Sequence, residues 1–321
     1  MERVLEILSQ RETVSGEEMC CALSMTRAGV WKKIESLRQA GWDIRGEGRR
    51  GYRLIPGDRL EPVLWRKDLR TRWAGRGICH YQREVTSTNR IARQMALENA
   101  PHGSLCLCES QTEGRGRMGR SWVSLPGTGL WQSVIIRPHL RPDQAPLLTY
   151  SAALAMARGV EQAGGPEVRI KWPNDLVAGG MKICGILNEV SADPDRIESV
   201  VLGVGLNVYR GAVPGELRGQ AASLEDFGAP PLRRRILLCY LACLEEEVDR
   251  LEREGMAGLR EAYRERSCTL GREVRVIGPE SFRGTAEDMD ETGALLVRRE
   301  DGLLIRVLAG DVSVRGVMGY V

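Results

Sequence analysis

Gly114-Arg115-Gly116-Arg117-Met118-Gly119-Arg120-Ser121-Trp122 is the stretch on which the fold turns. Gly114, Gly116 and Gly119 fit G-x-G-x-x-G, the dinucleotide fingerprint. That motif works only where a helix follows at once and points its N-terminus at a pyrophosphate. Here the chain passes through Pro126-Gly127-Thr128-Gly129 into Leu130-Trp131-Gln132-Ser133-Val134-Ile135-Ile136, a turn and then a strand. With no helix dipole available, the arginines must carry the positive charge. Their planar forks suit carboxylate and phosphate, and the glycines let backbone approach a ligand closely. The stretch therefore describes a loop that wraps something small and anionic. The competing readings are a solvated surface loop and an RGG-like RNA contact.

At 321 residues the chain has room for two or three domains. Its net charge of +3 makes it no polycation, so any nucleic-acid contact must be local. The start, Met1-Glu2-Arg3-Val4-Leu5-Glu6, carries charges where a signal peptide needs an apolar run. No apolar stretch approaches membrane-spanning length. The expectation is a soluble, cytoplasmic protein. The nine cysteines include no C-x-x-C pair, which suggests reduced thiols packed as small hydrophobes. His80, His102 and His139 lie far apart and form no zinc pattern, and histidine-based nucleophilic catalysis lacks support.

The N-terminal region reads as helix, helix-turn-helix and hairpin. Val4, Leu5, Ile7 and Leu8 share one stripe. Ser15 and Glu18 form a capping box. Thr26 caps a third helix bearing Val30, Ile34 and Leu37, with Gly41 as its stop. Trp42-Asp43-Ile44-Arg45 and Tyr52-Arg53-Leu54-Ile55 flank a basic tip with Arg49 and Arg50. This is a winged helix-turn-helix over 1–57, in which Thr26, Arg27, Lys32 and Lys33 would face DNA and Arg49 and Arg50 would grip phosphate. A helical protein-interaction module is the bland alternative. A short helical stretch over 60–73 leads onward.

In the large domain, 58–268, a strand over 78–85 delivers Ser87-Thr88-Asn89. Ser87 or Thr88 can cap the following helix, or the triplet can line a small-molecule site. Strands follow over 104–108 and 129–137, then a helix over 144–163. Lys171-Trp172-Pro173-Asn174-Asp175 is a proline-enforced turn that gathers a cation, an amide and a possible magnesium ligand, Asp175. Gly179-Gly180 turns a hairpin into the strand from Lys182, and 200–205 ends at Asn207. A helix spans 233–253. The tally is α+β, a central mixed β-sheet with helices to one side. Over 269–321, five short strands (274–277, 282–288, 294–299, 303–307 and 312–314) suggest a small SH3-like β-barrel.

Three ordered motifs carry a resemblance: Gly114-Arg115-Gly116-Arg117, Lys171-Trp172-Pro173-Asn174-Asp175 and Lys182-x-x-Gly185-Ile186-Leu187-x-Glu189. Together they resemble the biotin protein ligases and, with the N-terminal module, the bifunctional bacterial form that also represses the biotin operon. The resemblance spans essentially the whole chain. It implies a class II aminoacyl-tRNA synthetase-like central domain that uses biotin, ATP and Mg²⁺. It implies transfer to a biotin carboxyl carrier protein, a ligand-dependent homodimer and binding to operator DNA. By resemblance, Ser87, Thr88, Asn89 and Gln111 bind biotin's rings, and Arg115, Gly116 and Arg117 close over it with Lys182 and Gly185 nearby. Arg120, Trp122, Lys171, Asn174, Asp175 and Asn207, with Arg117, would face the adenylate. Arg117, Lys171 and Lys182 would be catalytic. Met118 stands where the family commonly has another arginine. A lipoate or octanoate ligase and a non-catalytic biotin-sensing repressor are the alternatives.

Overall fold

The computed structural model describes residues 1–278 and 281–309, and the backbone of 313–316. Val312 of the last expected strand and residues 317–321 lie outside the described residues. The chain divides into two compact units, Met1–Asp68 and Leu69–Val321.

In the first unit, α1 (Glu2–Gln10), α2 (Gly16–Leu23) and α3 (Arg27–Gln39) precede an antiparallel hairpin of β1 (Asp43–Gly46) and β2 (Tyr52–Ile55). The capping box forms as expected. Ser15 Oγ accepts from the Glu18 amide at 3.1 Å, and the Glu18 carboxylate accepts from the Ser15 amide at 2.9 Å. Those Ser15 bonds hold the Glu18 carboxyl below its usual range. Thr26 Oγ1 caps α3 by accepting from the Gly29 amide at 3.2 Å. Val4, Leu8, Met19, Val30, Ile34 and Leu37 pack with Ile44 and Leu54 of the hairpin into one core. Gly51, at φ 104°, has no room for a side chain, because a Cβ there would lie 2.1 Å from the Val14 carbonyl oxygen. The expected helical stretch over 60–73 reduces to single 3₁₀ turns at Pro62–Leu64 and Arg66–Asp68. Leu64 joins the core of this unit, whose contacts run on to Asp68.

The second unit is built on seven strands. They are β3 (Cys79–Val85), β4 (Leu105–Gln111), β5 (Gly129–Ile136), β6 (Arg169–Lys171), β7 (Asp175–Ala178), β8 (Met181–Ala192) and β9 (Ile197–Asn207). They lie in the order β3-β4-β5-β9-β8-β7-β6. The β3–β4 pair is parallel, reached through α4 (Thr88–Leu97), and the other pairs are antiparallel.

Helices cover both faces, not one side as the sequence suggested. Ala92 and Ala96 of α4 pack on Cys106, Ile135 and Val201. On the opposite face α5 (Leu147–Gln162) and α6 (Arg233–Glu254) pack closely together, and Tyr240 of α6 lies against Gln132. A Cβ on Gly159 of α5 would come within 2.9 Å of the Tyr240 backbone. The reason is in β5: every one of its residues is buried, so both of its sides need covering.

Helix α7 (Met256–Arg266), which the periodicity did not reveal, leads into a five-stranded antiparallel sheet. Its strands are β10 (Glu273–Ile277), β11 (Phe282–Met289), β12 (Leu295–Arg299), β13 (Leu304–Val307) and β14 (Ser313–Gly316), in the order β13-β12-β11-β10-β14. The turn before β12 reaches back to α5 and to the turn after β6. The Gly293 carbonyl accepts from the Tyr150 hydroxyl at 2.6 Å and from Trp172 Nε1 at 3.3 Å. Burial pushes the Tyr150 hydroxyl pKa up, which keeps it a donor.

Candidate functional site

The Gly/Arg stretch folds back on itself as a small hairpin between β4 and β5. The Trp122 amide donates to the Gly114 carbonyl at 2.8 Å, and the Gly116 amide to the Arg120 carbonyl at 2.7 Å. Its tip is a 3₁₀ turn, Arg117–Gly119, in which Met118 and Gly119 take left-handed φ of 55° and 72°. Gly114 is required there, since a Cβ would meet the Trp122 carbonyl oxygen at 2.2 Å. The continuation is a turn and a strand, as the exclusion of a Rossmann site demanded.

Two cavities meet beneath this hairpin. A larger one of about 550 Å³ is lined by Arg120, Lys171, Asp175 and Asn207, among others. A narrow one of about 50 Å³ is lined by Ser87, Thr88, Asn89, Gln111, Arg115 and Gly185. Gly116, Arg117, Trp122, Asn174 and Lys182 border both. Every residue expected to touch biotin or adenylate thus lines one cavity or the other.

The narrow cavity rests on a polar network. Gln111 Oε1 accepts from the Thr88 amide at 2.8 Å and from its hydroxyl at 3.1 Å, while Gln111 Nε2 donates to Ser124 Oγ at 2.7 Å. Ser87 makes no side-chain cap for α4, so the expected local cap is replaced by Gln111, an acceptor from a neighbouring strand. Asn89 is largely committed below the cavity. Its Nδ2 donates to Glu189 Oε2 at 2.7 Å, and its Oδ1 accepts from Ser133 Oγ at 2.6 Å.

The floor is bare backbone. Gly185 pairs with Gly205 across β8 and β9, and a Cβ on either would come within 2.9 Å and 2.6 Å respectively of the Trp122 indole. At Gly203 a Cβ would strike Asn89 Oδ1 at 1.9 Å. Ser124, Ser133, Glu189, Gly203 and Gly205 were not among the expected site residues. The readable signal was Gly203-Val204-Gly205: two glycines at period two inside a buried strand mark a close approach on one face.

The larger cavity gathers Arg117, Lys171, Asp175 and Lys182, which have partners within the protein. Arg117 Nη1 donates to Asn174 Oδ1 at 2.9 Å, and Nη2 donates to the Ala309 carbonyl. Burial lowers the Arg117 pKa, with Asp175 opposing, and a guanidinium stays charged regardless. Lys182 Nζ sits 2.6 Å from Asp175 Oδ1, close enough for an ion pair although the alignment is not that of a hydrogen bond. It also lies 5.1 Å from the centroid of a Trp122 ring. Lys171 is buried at 4 % exposure, just before the cis Trp172–Pro173 bond. Asn207 Nδ2 donates to the Ala222 carbonyl at 3.1 Å.

Among the described residues no three His, Cys, Asp or Glu converge on a metal position. Mg²⁺ commonly takes only one or two protein carboxylates and fills its shell with phosphate and water. Asp175, a single carboxylate on the cavity wall, fits a magnesium ion carried in on phosphates and not one caged by protein.

In the first unit the expected DNA-facing groups divide. Arg50 pairs with Glu47 at 2.9 Å, and two cations outside the expected set also pair, Arg45 with Asp43 and Arg53 with Glu12. Arg27, Lys32, Lys33 and Arg49 have no ion-pair partner among the described residues. The Thr26 hydroxyl serves the cap of α3.

Comparisons with known proteins identify the family. The Biotin/lipoate A/B protein ligase family matches residues 81–207, the biotin protein ligase C-terminal domain 269–315, and an HTH domain 1–53. The bifunctional ligase/repressor BirA of Bacillus spizizenii is 35% identical over 318 residues, covering 97% of this chain and 97% of its own. The bifunctional ligase/repressor BirA of Escherichia coli is 29% identical over 317 residues, covering 98% and 96%. The biotin protein ligase of Aquifex aeolicus, solved in complex with biotin and ATP, superposes with a TM-score of 0.64 at 26% identity, covering 74% of this chain and 99% of that one. The chain belongs to the biotin protein ligases, in their bifunctional ligase/repressor form.

Proposed function

We propose that this protein is an ATP-dependent, AMP-forming biotin protein ligase that also acts as a biotin-responsive repressor. The observation that carries the reading is the junction of the two cavities. A narrow polar slot and a roomier cationic chamber meet at Gly116, Arg117, Trp122, Asn174 and Lys182, so two substrates held one in each would touch there. In this reading the Trp122 indole swings off the Gly185–Gly205 floor toward the chamber and biotin's rings take its place, with Ser87, Thr88, Gln111 and Arg115 around them. Its carboxylate reaches the junction, and the nucleotide fills the chamber beside Arg120, Trp122, Lys171 and Asn207.

The chemistry is then a problem of charge. Biotin's carboxylate attacks the α-phosphorus of ATP, forming a bond from carboxylate oxygen to phosphorus as pyrophosphate leaves. Both reactants are anions, and the transition state gathers more negative charge on the phosphoryl oxygens. Arg117, Lys171 and Lys182 neutralise it from fixed positions around a partly dry cavity. Asp175 would help hold a magnesium ion brought in on the phosphates, which would supply further positive charge there. No nucleophilic side chain is needed. The product, biotinyl-5′-AMP, is a mixed anhydride that water destroys, and the 114–122 hairpin closing over it would exclude water. The lysine amine of a biotin carboxyl carrier protein then attacks the carbonyl, and AMP leaves.

The repressor half assigns 1–57 to a winged helix-turn-helix, 58–268 to a synthetase-like catalytic domain and 269–321 to an SH3-like barrel. Ordering of the hairpin by the adenylate would favour a homodimer that places two α3 helices on a palindromic operator in the cytoplasm. Incubation with biotin, ATP and Mg²⁺ tests the enzyme. Pyrophosphate release with formation of biotinyl-5′-AMP is expected. Release with lipoate and none with biotin would move the assignment to the lipoate ligases.

A further inference from the structure

The outward face of α3 carries a feature that charge alone does not explain. Of the seven tryptophans in the chain, only Trp31 stands exposed, with 54 % of its surface open to solvent. It has no hydrogen-bond or ring partner among the described residues. Helical spacing turns it roughly 100° from Val30, onto the flank of the stripe formed by Val30, Ile34 and Leu37, which are buried in the core of the unit. Arg27 stands one turn before it and Lys32 beside it, both exposed and without ion-pair partners. The nearest acid on that side, Glu35, is occupied by Arg38 at 3.5 Å. Ala28, also exposed, leaves the ground beside the indole low.

We propose that Trp31 is a base-reading residue, inserted by α3 into the major groove between phosphate contacts made by Arg27 and Lys32. This rests on the repressor half of the function proposed above and adds the residue that gives sequence preference. Phosphate contacts set position and carry no sequence information, so the free cations cannot discriminate an operator by themselves. An indole supplies what they lack. Its flat apolar face suits the thymine methyl group, and its Nε1–H is a single donor for O4 of thymine or O6/N7 of guanine. The position within the first two turns of the third helix of a helix-turn-helix is where base edges come within reach.

The test uses the full-length protein with biotin and ATP present, allowed to enrich duplexes from a random-sequence pool. Affinities for the enriched duplex and the unselected pool are then compared for wild type, W31A and W31F. W31A should lower the ratio of enriched to unselected affinity about tenfold and, in a repeated selection, lose preference at one or more base pairs. W31F should retain most of a methyl contact and none of a donor contact. R27A should instead weaken both DNAs together and reduce the slope of log affinity against log salt by about one. An unchanged ratio for W31A, an equal loss on both DNAs, or a lowered unfolding midpoint would each overturn the assignment. Failure of the wild type to enrich any sequence would remove the operator reading and this proposal with it. Enrichment by wild type matched by W31A would remove the proposal alone.

Discussion

Arg27, Lys32 and Arg49 of the first unit stand without ion-pair partners among the described residues, whereas Arg117 and Lys182 of the second are engaged with Asn174, the Ala309 carbonyl and Asp175. Displayed charges meet a polyanion by displacing counterions, and they need no rearrangement to do so. Tied charges must exchange an internal partner for the ligand, so only a ligand that offers more than Asn174 or Asp175 can claim them. That requirement favours phosphate, which brings several strong acceptor oxygens at once. The same residue types therefore serve two ends, one surface always ready and one site that answers to a particular chemistry.

The difference can be broken most sharply at the cavity junction. Replacing Arg117 and Lys182 together with alanine should cut the rate of biotinyl-5′-AMP formation by at least roughly 10²–10³, the usual cost of one electrostatic stabiliser. An ATP–pyrophosphate exchange rate equal to wild type would refute the junction as the reaction centre. The displayed charges can be sharpened by titrating DNA affinity against salt. K32A and R49A should each flatten the log–log slope by about one, and R50A by less, because Glu47 already partly neutralises Arg50. Equal slopes for R49A and R50A would show that internal pairing does not matter on this face. The smallest effect belongs to the hairpin tip. Met118 holds a left-handed φ of 55° with 60 % of its surface exposed. M118G should therefore stabilise the folded protein by up to about 1 kcal/mol, read as a raised unfolding midpoint. A lowered midpoint would mean that the thioether packs.

Much of this was legible in order along the chain. The Ser15–Glu18 capping box, the Thr26 cap and the 30/34/37 stripe depend on neighbours within a turn or two, and each formed. The Gly/Arg stretch could be denied a Rossmann role because its context is the next ten residues. What escaped the sequence came from farther away. Gln111 caps α4 across 23 positions, and Asn89 reaches Glu189 across 100. No local pattern announces which of several polar groups will win such a bond. Helix α7 was missed because its buried residues are only Met256, Leu259 and Tyr263 in an otherwise charged segment. The coverage of the sheet on both faces also depends on which side α4 takes, and its short stripe of alanines does not say.

The bond from Arg117 to the Ala309 carbonyl bears on how this protein is to be probed. Because the acceptor is main chain, no side-chain replacement at position 309 deletes it. An alanine scan would pass over this tether. Shortening the chain before that residue, or an ester in place of the amide whose carbonyl accepts, would expose what the scan hides.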